Sequence, residues 1–98
     1  MDADLNIAIV QYLGYKAAAY PGNHFDAVIE ALGVERAQAV EVPVLGVLMD
    51  LDGIKPDWHA HSLYSGSEWA VRQLRLAYPM LDDRAAKALV WAYSFWNK

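Results

Sequence analysis

The stretch that decides the fold is LDDRAAKALVWAYSFW, residues 81–96. At about 100° of rotation per residue, this pattern predicts a helix with one continuous apolar face. The middle of that face is alanine, so the backbone of a neighbouring helix can approach closely. We expect Asp82 to cap the amino end, where free amides favour an acceptor. The predicted buried face consists of Leu81, Ala85, Ala88, Leu89, Ala92, Phe95 and Trp96.

The polar side of the same helix carries Trp91, which lies between Arg84 and Lys98 at seven-residue spacing. Tryptophan and tyrosine close to arginine are typical of binding hot spots. Other large apolar residues lie outside the predicted core on this helix and on the one before it. The alternative is that a terminal helix packs on two sides, which would make these residues core. The candidate interaction residues are Trp91, Arg84, Tyr93, Trp69 and Leu76.

Composition indicates one globular domain spanning residues 1–98, because 56% of the residues are hydrophobic and the chain is long enough to bury a core. The absence of cysteine excludes disulfides and thiolate metal sites. The apolar runs are too short for a membrane span, and the start lacks the basic region of a secretory signal. We therefore expect a cytoplasmic protein that does not bind membranes.

The net charge of −4 argues against nonspecific binding to nucleic acid. The charges are unevenly distributed, because most acidic residues precede residue 60 while five basic residues fall in the last third. This asymmetry predicts a weakly basic face beside an acidic one. The five basic residues are Arg72, Arg75, Arg84, Lys87 and Lys98.

Four further helices are predicted upstream of residue 81. The first runs from about Asp4 to Ala19, although residues 7–10 also suit a strand. Asn23 is expected to cap the second helix and Gly33 to end it with a left-handed residue. The resulting prediction is an all-α bundle of about five helices with the C-terminal helix central.

The third and fourth helices are predicted from residue 35 to residue 51 and from residue 65 to residue 78. The valines of residues 40–47 suit a strand, but their spacing favours a helix that Pro43 kinks or restarts. Ser65 and Glu68 form a capping-box pattern at the start of the fourth helix.

Residues 53–65 form the one long irregular stretch, and they contain a His-x-His pattern. Two imidazoles with nearby carboxylates can complete a metal site, although the EF-hand pattern is not matched. The alternative is that these are turn residues and solvated histidines. Trp58 is expected to anchor this loop on the bundle. The candidate metal ligands are His59, His61, Asp57 and Asp52.

No phosphate-binding glycine loop, nucleophile elbow or metalloprotease motif is present in the sequence. We therefore predict a small protein-interaction module without catalytic activity or cofactor, such as an inhibitor-, immunity- or antitoxin-like protein. Its partner is expected to be another protein or a second copy of itself. The alternative function is metal binding, or metal-assisted catalysis, by the histidine loop.

Overall fold

The computed structural model describes residues 2–98, and all of its regular secondary structure is α-helical. The all-α prediction with about five helices is confirmed. In chain order the helices are α1 (Asp2–Leu13), α2 (Phe25–Leu32), α3 (Val34–Asp52), α4 (Leu63–Ala77) and α5 (Asp83–Trp96).

Helix α1 lies in the middle of the bundle. Helix α1 packs against α2, α3 and α5, while α5 packs against α1 and α4. Helix α1 therefore has more neighbouring helices than α5, so the most central helix is α1 rather than the predicted α5. The alanine stripe of α5 is fully buried, as expected, and Asp82 caps the helix by accepting a hydrogen bond from the Ala85 amide at 2.8 Å.

The last turn of α5 departs from the prediction, because Phe95 and Trp96 are exposed rather than buried. Phe95 stacks on Tyr20 of the α1–α2 connection, with 6.0 Å between ring centroids. The final turn thus lies at the edge of the bundle, where no helix covers it completely.

Helix α1 ends at Leu13, six residues earlier than predicted. Gly14 adopts a positive φ of 79°, a left-handed conformation that interrupts the helix and that glycine adopts without strain. The chain then turns back, and the amides of Gly22 and His24 donate to the carbonyls of Leu13 and Tyr12. His24 rather than Asn23 therefore occupies the N-cap position of α2, without a side-chain capping bond.

Helix α3 runs without interruption through Pro43, so the predicted restart at this residue is excluded. Gly33 separates α2 from α3 with a positive φ of 84°, as expected for a glycine stop. The helical prediction for the valine-rich segment is confirmed, because all but one of its predicted core positions are buried. The buried positions are Ala37, Val40, Val44, Val47 and Leu51, while Leu48 is only partly buried.

Helix α4 begins at Leu63, slightly before the predicted start. Its cap is Ser62, whose Oγ accepts a hydrogen bond from the Ser65 amide at 3.1 Å. The capping box assigned to Ser65 and Glu68 was wrong, because Ser65 is already inside the first turn. At the other end, Ala77 is exposed and Tyr78 only half-buried, so the buried face of α4 ends at Leu74.

Candidate interaction site

A groove of about 510 Å³ runs between the outer faces of α4 and α5. We call it the α4–α5 groove. Its walls follow from helical spacing, because Glu68, Arg72 and Arg75 lie on one side of α4 and Lys87 and Trp91 on one side of α5. The lining residues run from Tyr64 to Arg75 on α4 and from Asp83 to Ser94 on α5, and each span corresponds to roughly 16 Å of helix.

The floor of the α4–α5 groove is apolar. It is formed by Val71 of α4 and by Ala86, Val90 and Trp91 of α5, and Tyr15 lies at one end. Trp91 is half-buried and packs against the core, with its ring 5.7 Å from that of Tyr15 and tilted by 53°. The indole of Trp91 is therefore partly core and partly a recessed aromatic surface of the groove.

The groove is lined by three cations, Arg72, Arg75 and Lys87, and by the two carboxylates of Glu68 and Asp83. Arg75 donates to the Leu81 carbonyl at 2.7 Å and forms an ion pair with Asp83 at 3.4 Å. Arg72 and Lys87 are exposed, and neither has an ion-pair partner among residues 2–98. The groove can therefore offer two cations to a ligand, although the chain as a whole is acidic.

Tyr93 is a core residue, which agrees with the alternative that the terminal helix packs on two sides and rules out its assignment as an interaction residue. Its side chain is fully buried, and its hydroxyl donates to the Ile54 carbonyl in the α3–α4 connection. Burial raises the pKa of the Tyr93 hydroxyl, and the negative charge of Asp52 adds to this effect. The sequence contains a signal for the burial of Tyr93, because this residue follows the buried residues Ala86 and Leu89 at helical spacing.

The other predicted interaction residues do not join Trp91 in the groove. Arg84 lines a separate, smaller cavity beside Gly14 and His24. Trp69 is half-buried against the core, with its ring 6.0 Å from that of His61. Leu76 is exposed and lies outside the groove. Sequence reasoning also missed Arg72 and Lys87, whose only signal was the excess of basic residues in the last third of the chain.

The predicted metal ligands do not come together. Asp57 accepts a hydrogen bond from the His59 amide at 3.0 Å, while His61 Nδ1 lies 3.2 Å from the Ser65 hydroxyl oxygen. Asp52 is at the end of α3 and its carbonyl binds the Lys55 ammonium group. Within residues 2–98, no three histidine, cysteine or acidic residues are grouped so that they could hold a metal ion.

Trp58 anchors the α3–α4 connection, as expected. Its ring stacks on that of Tyr93 at 6.4 Å and packs directly against the backbone of Gly66. Because Trp58 holds the α3–α4 connection against α5, this connection covers a side of Tyr93 that the helical pattern alone predicts to be exposed.

Comparisons with protein-family models, with curated proteins and with solved structures found no match for this chain. None of the helices in residues 2–98 combines the length and the hydropathy needed to cross a lipid bilayer. What the α4–α5 groove can bind must therefore be inferred from its own side chains.

Proposed function

We propose that this chain is a small cytoplasmic protein-interaction module, without catalytic activity, that binds a segment of another protein in the α4–α5 groove. The observation that carries the proposal is the recessed ring of Trp91 in a groove whose rim offers the unpaired cations Arg72 and Lys87. Recessed aromatic surfaces with adjacent cations are typical of binding hot spots. An inhibitor, an immunity protein or an antitoxin would act by such binding alone.

The side chains of the groove define the chemistry of the partner segment. The apolar floor around Val90 and Trp91 favours a ligand with one or two apolar side chains. Arg72 and Lys87 favour carboxylates beside them, because charge complementarity gives specificity to an interface. A length of roughly 16 Å accommodates about five extended residues or three helical turns. The proposed ligand is therefore a short acidic segment with an apolar anchor.

A second copy of this chain fits the groove less well. In a twofold symmetric dimer the same surface of each copy meets its equivalent. Such a dimer would bring together two surfaces on which the cations Arg72, Arg75 and Lys87 outnumber the carboxylates of Glu68 and Asp83, which is electrostatically unfavourable. We therefore assign the groove to a different protein.

A peptide selection tests this proposal with a matched control. The wild-type chain is immobilised and used to select from a library of random peptides. We expect enrichment of peptides in which aspartate or glutamate flanks a large apolar residue. Lys87→Glu should reverse this preference towards basic peptides. Arg84→Glu makes the same charge change on the same helix outside the groove, so it should leave the preference unchanged.

Three outcomes would overturn the proposal. The first is that no peptide is enriched above background. The second is that Arg84→Glu changes the selected sequences as much as Lys87→Glu. The third is a stable dimer in sedimentation that Lys87→Glu dissociates, because the groove would then be an interface between copies.

A further inference from the structure

The outer face of α3 carries a second apolar surface, separate from the α4–α5 groove. Val42 and Met49 are 75% and 74% exposed, and Leu45 lies between them at 38%. Their spacing of three and four residues places them in one stripe, opposite the buried face of the helix. We call this stripe the α3 ridge. A helix normally turns its apolar stripe towards a partner, and among residues 2–98 nothing covers this one.

The charges around the α3 ridge are all negative. No lysine or arginine occurs between residues 37 and 54. The two nearest cations are engaged, because Arg36 is paired with Asp4 and Lys55 donates to the Asp52 carbonyl. The ridge is therefore an apolar stripe with carboxylates along its flanks. These carboxylates belong to Glu35, Glu41 and Asp52, while that of Asp50 accepts a hydrogen bond from the Tyr78 hydroxyl.

Gly46 lies inside α3 next to the ridge, and the packing of the fold does not explain it. A Cβ atom built at this position meets no other atom within 4 Å. Glycine inside a helix is unfavourable relative to alanine, mainly through backbone entropy. Without a side chain at Gly46, the backbone beside Leu45 is open to close approach by another helix.

We infer that the α3 ridge is the docking surface for a basic amphipathic helix of a partner protein. The apolar stripe of that helix would cover Val42, Leu45 and Met49, and its lysine or arginine residues would face the flanking carboxylates. A symmetric dimer formed through the α3 ridge would bring the acidic residues of the two copies together, so a second copy of the chain is disfavoured as the partner. Anionic lipid is disfavoured for the same reason. The inference goes beyond the proposed function, because the groove is proposed to bind an acidic segment whereas the ridge would bind a basic helix.

Isothermal titration with synthetic helical peptides tests this inference. The probe has leucines at spacings of three and four residues flanked by lysines, and a matched peptide has glutamates in place of the lysines. We expect the lysine peptide to bind and the glutamate peptide not to bind. Met49→Glu should weaken binding of the lysine peptide on the order of tenfold or more, because an apolar anchor is lost.

Leu76→Glu is the matched control, because Leu76 is 79% exposed on α4 and the charge change is the same. This variant should leave the affinity within about twofold, as expected for a residue outside an interface. Both substitutions add one negative charge to the protein. A nonspecific attraction between the protein and the lysine peptide would therefore strengthen binding equally in the two variants. Gly46→Ala should weaken peptide binding without lowering the stability of the fold.

Equal effects of Met49→Glu and Leu76→Glu would overturn the inference, as would equal binding of the two peptides or no binding of the lysine peptide. Concentration-dependent self-association that Met49→Glu abolishes would also overturn it, because the ridge would then bind a second copy. Circular dichroism of each variant establishes that it is folded before titration.

Discussion

The indole ring of Trp58 lies so close to the backbone of Gly66 that a methyl group at residue 66 would overlap its six-membered ring. Gly66→Ala is therefore expected to destabilise the fold, although alanine favours the helix. Overpacking costs typically 1–3 kcal/mol, whereas the helix propensity gained is about 1 kcal/mol. We expect a net loss of up to about 2 kcal/mol in the free energy of unfolding, measured by urea denaturation.

Gly46→Ala is the matched control for this substitution, because Gly46 is also helical and a Cβ atom there meets nothing. It should stabilise the fold by about 0.5–1 kcal/mol. If both alanine variants were stabilised equally, the close packing of Trp58 on Gly66 would be refuted.

Asn6 connects the start of α1 to the turn before α5. Its amide nitrogen donates to the Met80 carbonyl at 2.9 Å, and its amide oxygen accepts from the Asp82 backbone at 3.0 Å. Asn6→Ala leaves both backbone groups without this partner, and each unsatisfied buried group costs roughly 1–3 kcal/mol. We expect a loss of about 2–4 kcal/mol in the free energy of unfolding. Gln38→Ala, at an exposed helical position, should change it by less than about 0.5 kcal/mol.

Equal stability of the Asn6 and Gln38 variants would show that the bonds of Asn6 contribute nothing. Urea denaturation measures both variants under the same conditions. The comparison removes the general effect of placing alanine in a helix, since both positions are helical.

Stability should fall at alkaline pH because two tyrosines have raised pKa values. Burial raises the pKa of Tyr93, and a hydrogen bond to Asp50 raises that of Tyr78. An unfolded tyrosine titrates at about pH 10. The stability contribution of each neutral hydroxyl is therefore complete below that pH and is lost as pH rises towards and through the folded-state pKa.

Tyr93→Phe isolates one of these contributions. At neutral pH the variant should lose about 1 kcal/mol, because the Ile54 carbonyl loses its donor. Above about pH 10 its further loss should be smaller than that of the wild type, since one titrating hydroxyl is gone. Urea denaturation at several pH values measures this difference. An alkaline loss identical to that of the wild type would contradict the assignment to Tyr93.

Apolar spacing predicted the five helices well, because the buried face of a helix repeats regularly along the chain. Helix α3 shows this most clearly, since its periodic core positions outweighed the strand preference of its valines. The end of α1 was harder to predict. Residues 17–19 are alanines that favour a helix, and the break depends on the backbone conformation of Gly14.

The candidate site was less predictable because it depends on contacts between distant parts of the chain. Tyr93 is covered by the α3–α4 connection, whose position depends on Trp58 packing against Gly66. Arg72 and Lys87 lie on different helices and meet only when α4 packs against α5. A helical pattern identifies the face on which each residue lies, but it does not identify the neighbour of that face.

The most direct test of the α4–α5 groove as an interaction site is an NMR titration of nitrogen-labelled protein with an acidic peptide recovered from the library selection. The indole signal of Trp91 and the amide signals of Lys87 and Val90 should shift with the peptide, since these residues line the groove. The indole signals of Trp58 and Trp69 should stay in place. Unchanged Trp91 signals, with shifts confined to other parts of the chain, would contradict the proposed site.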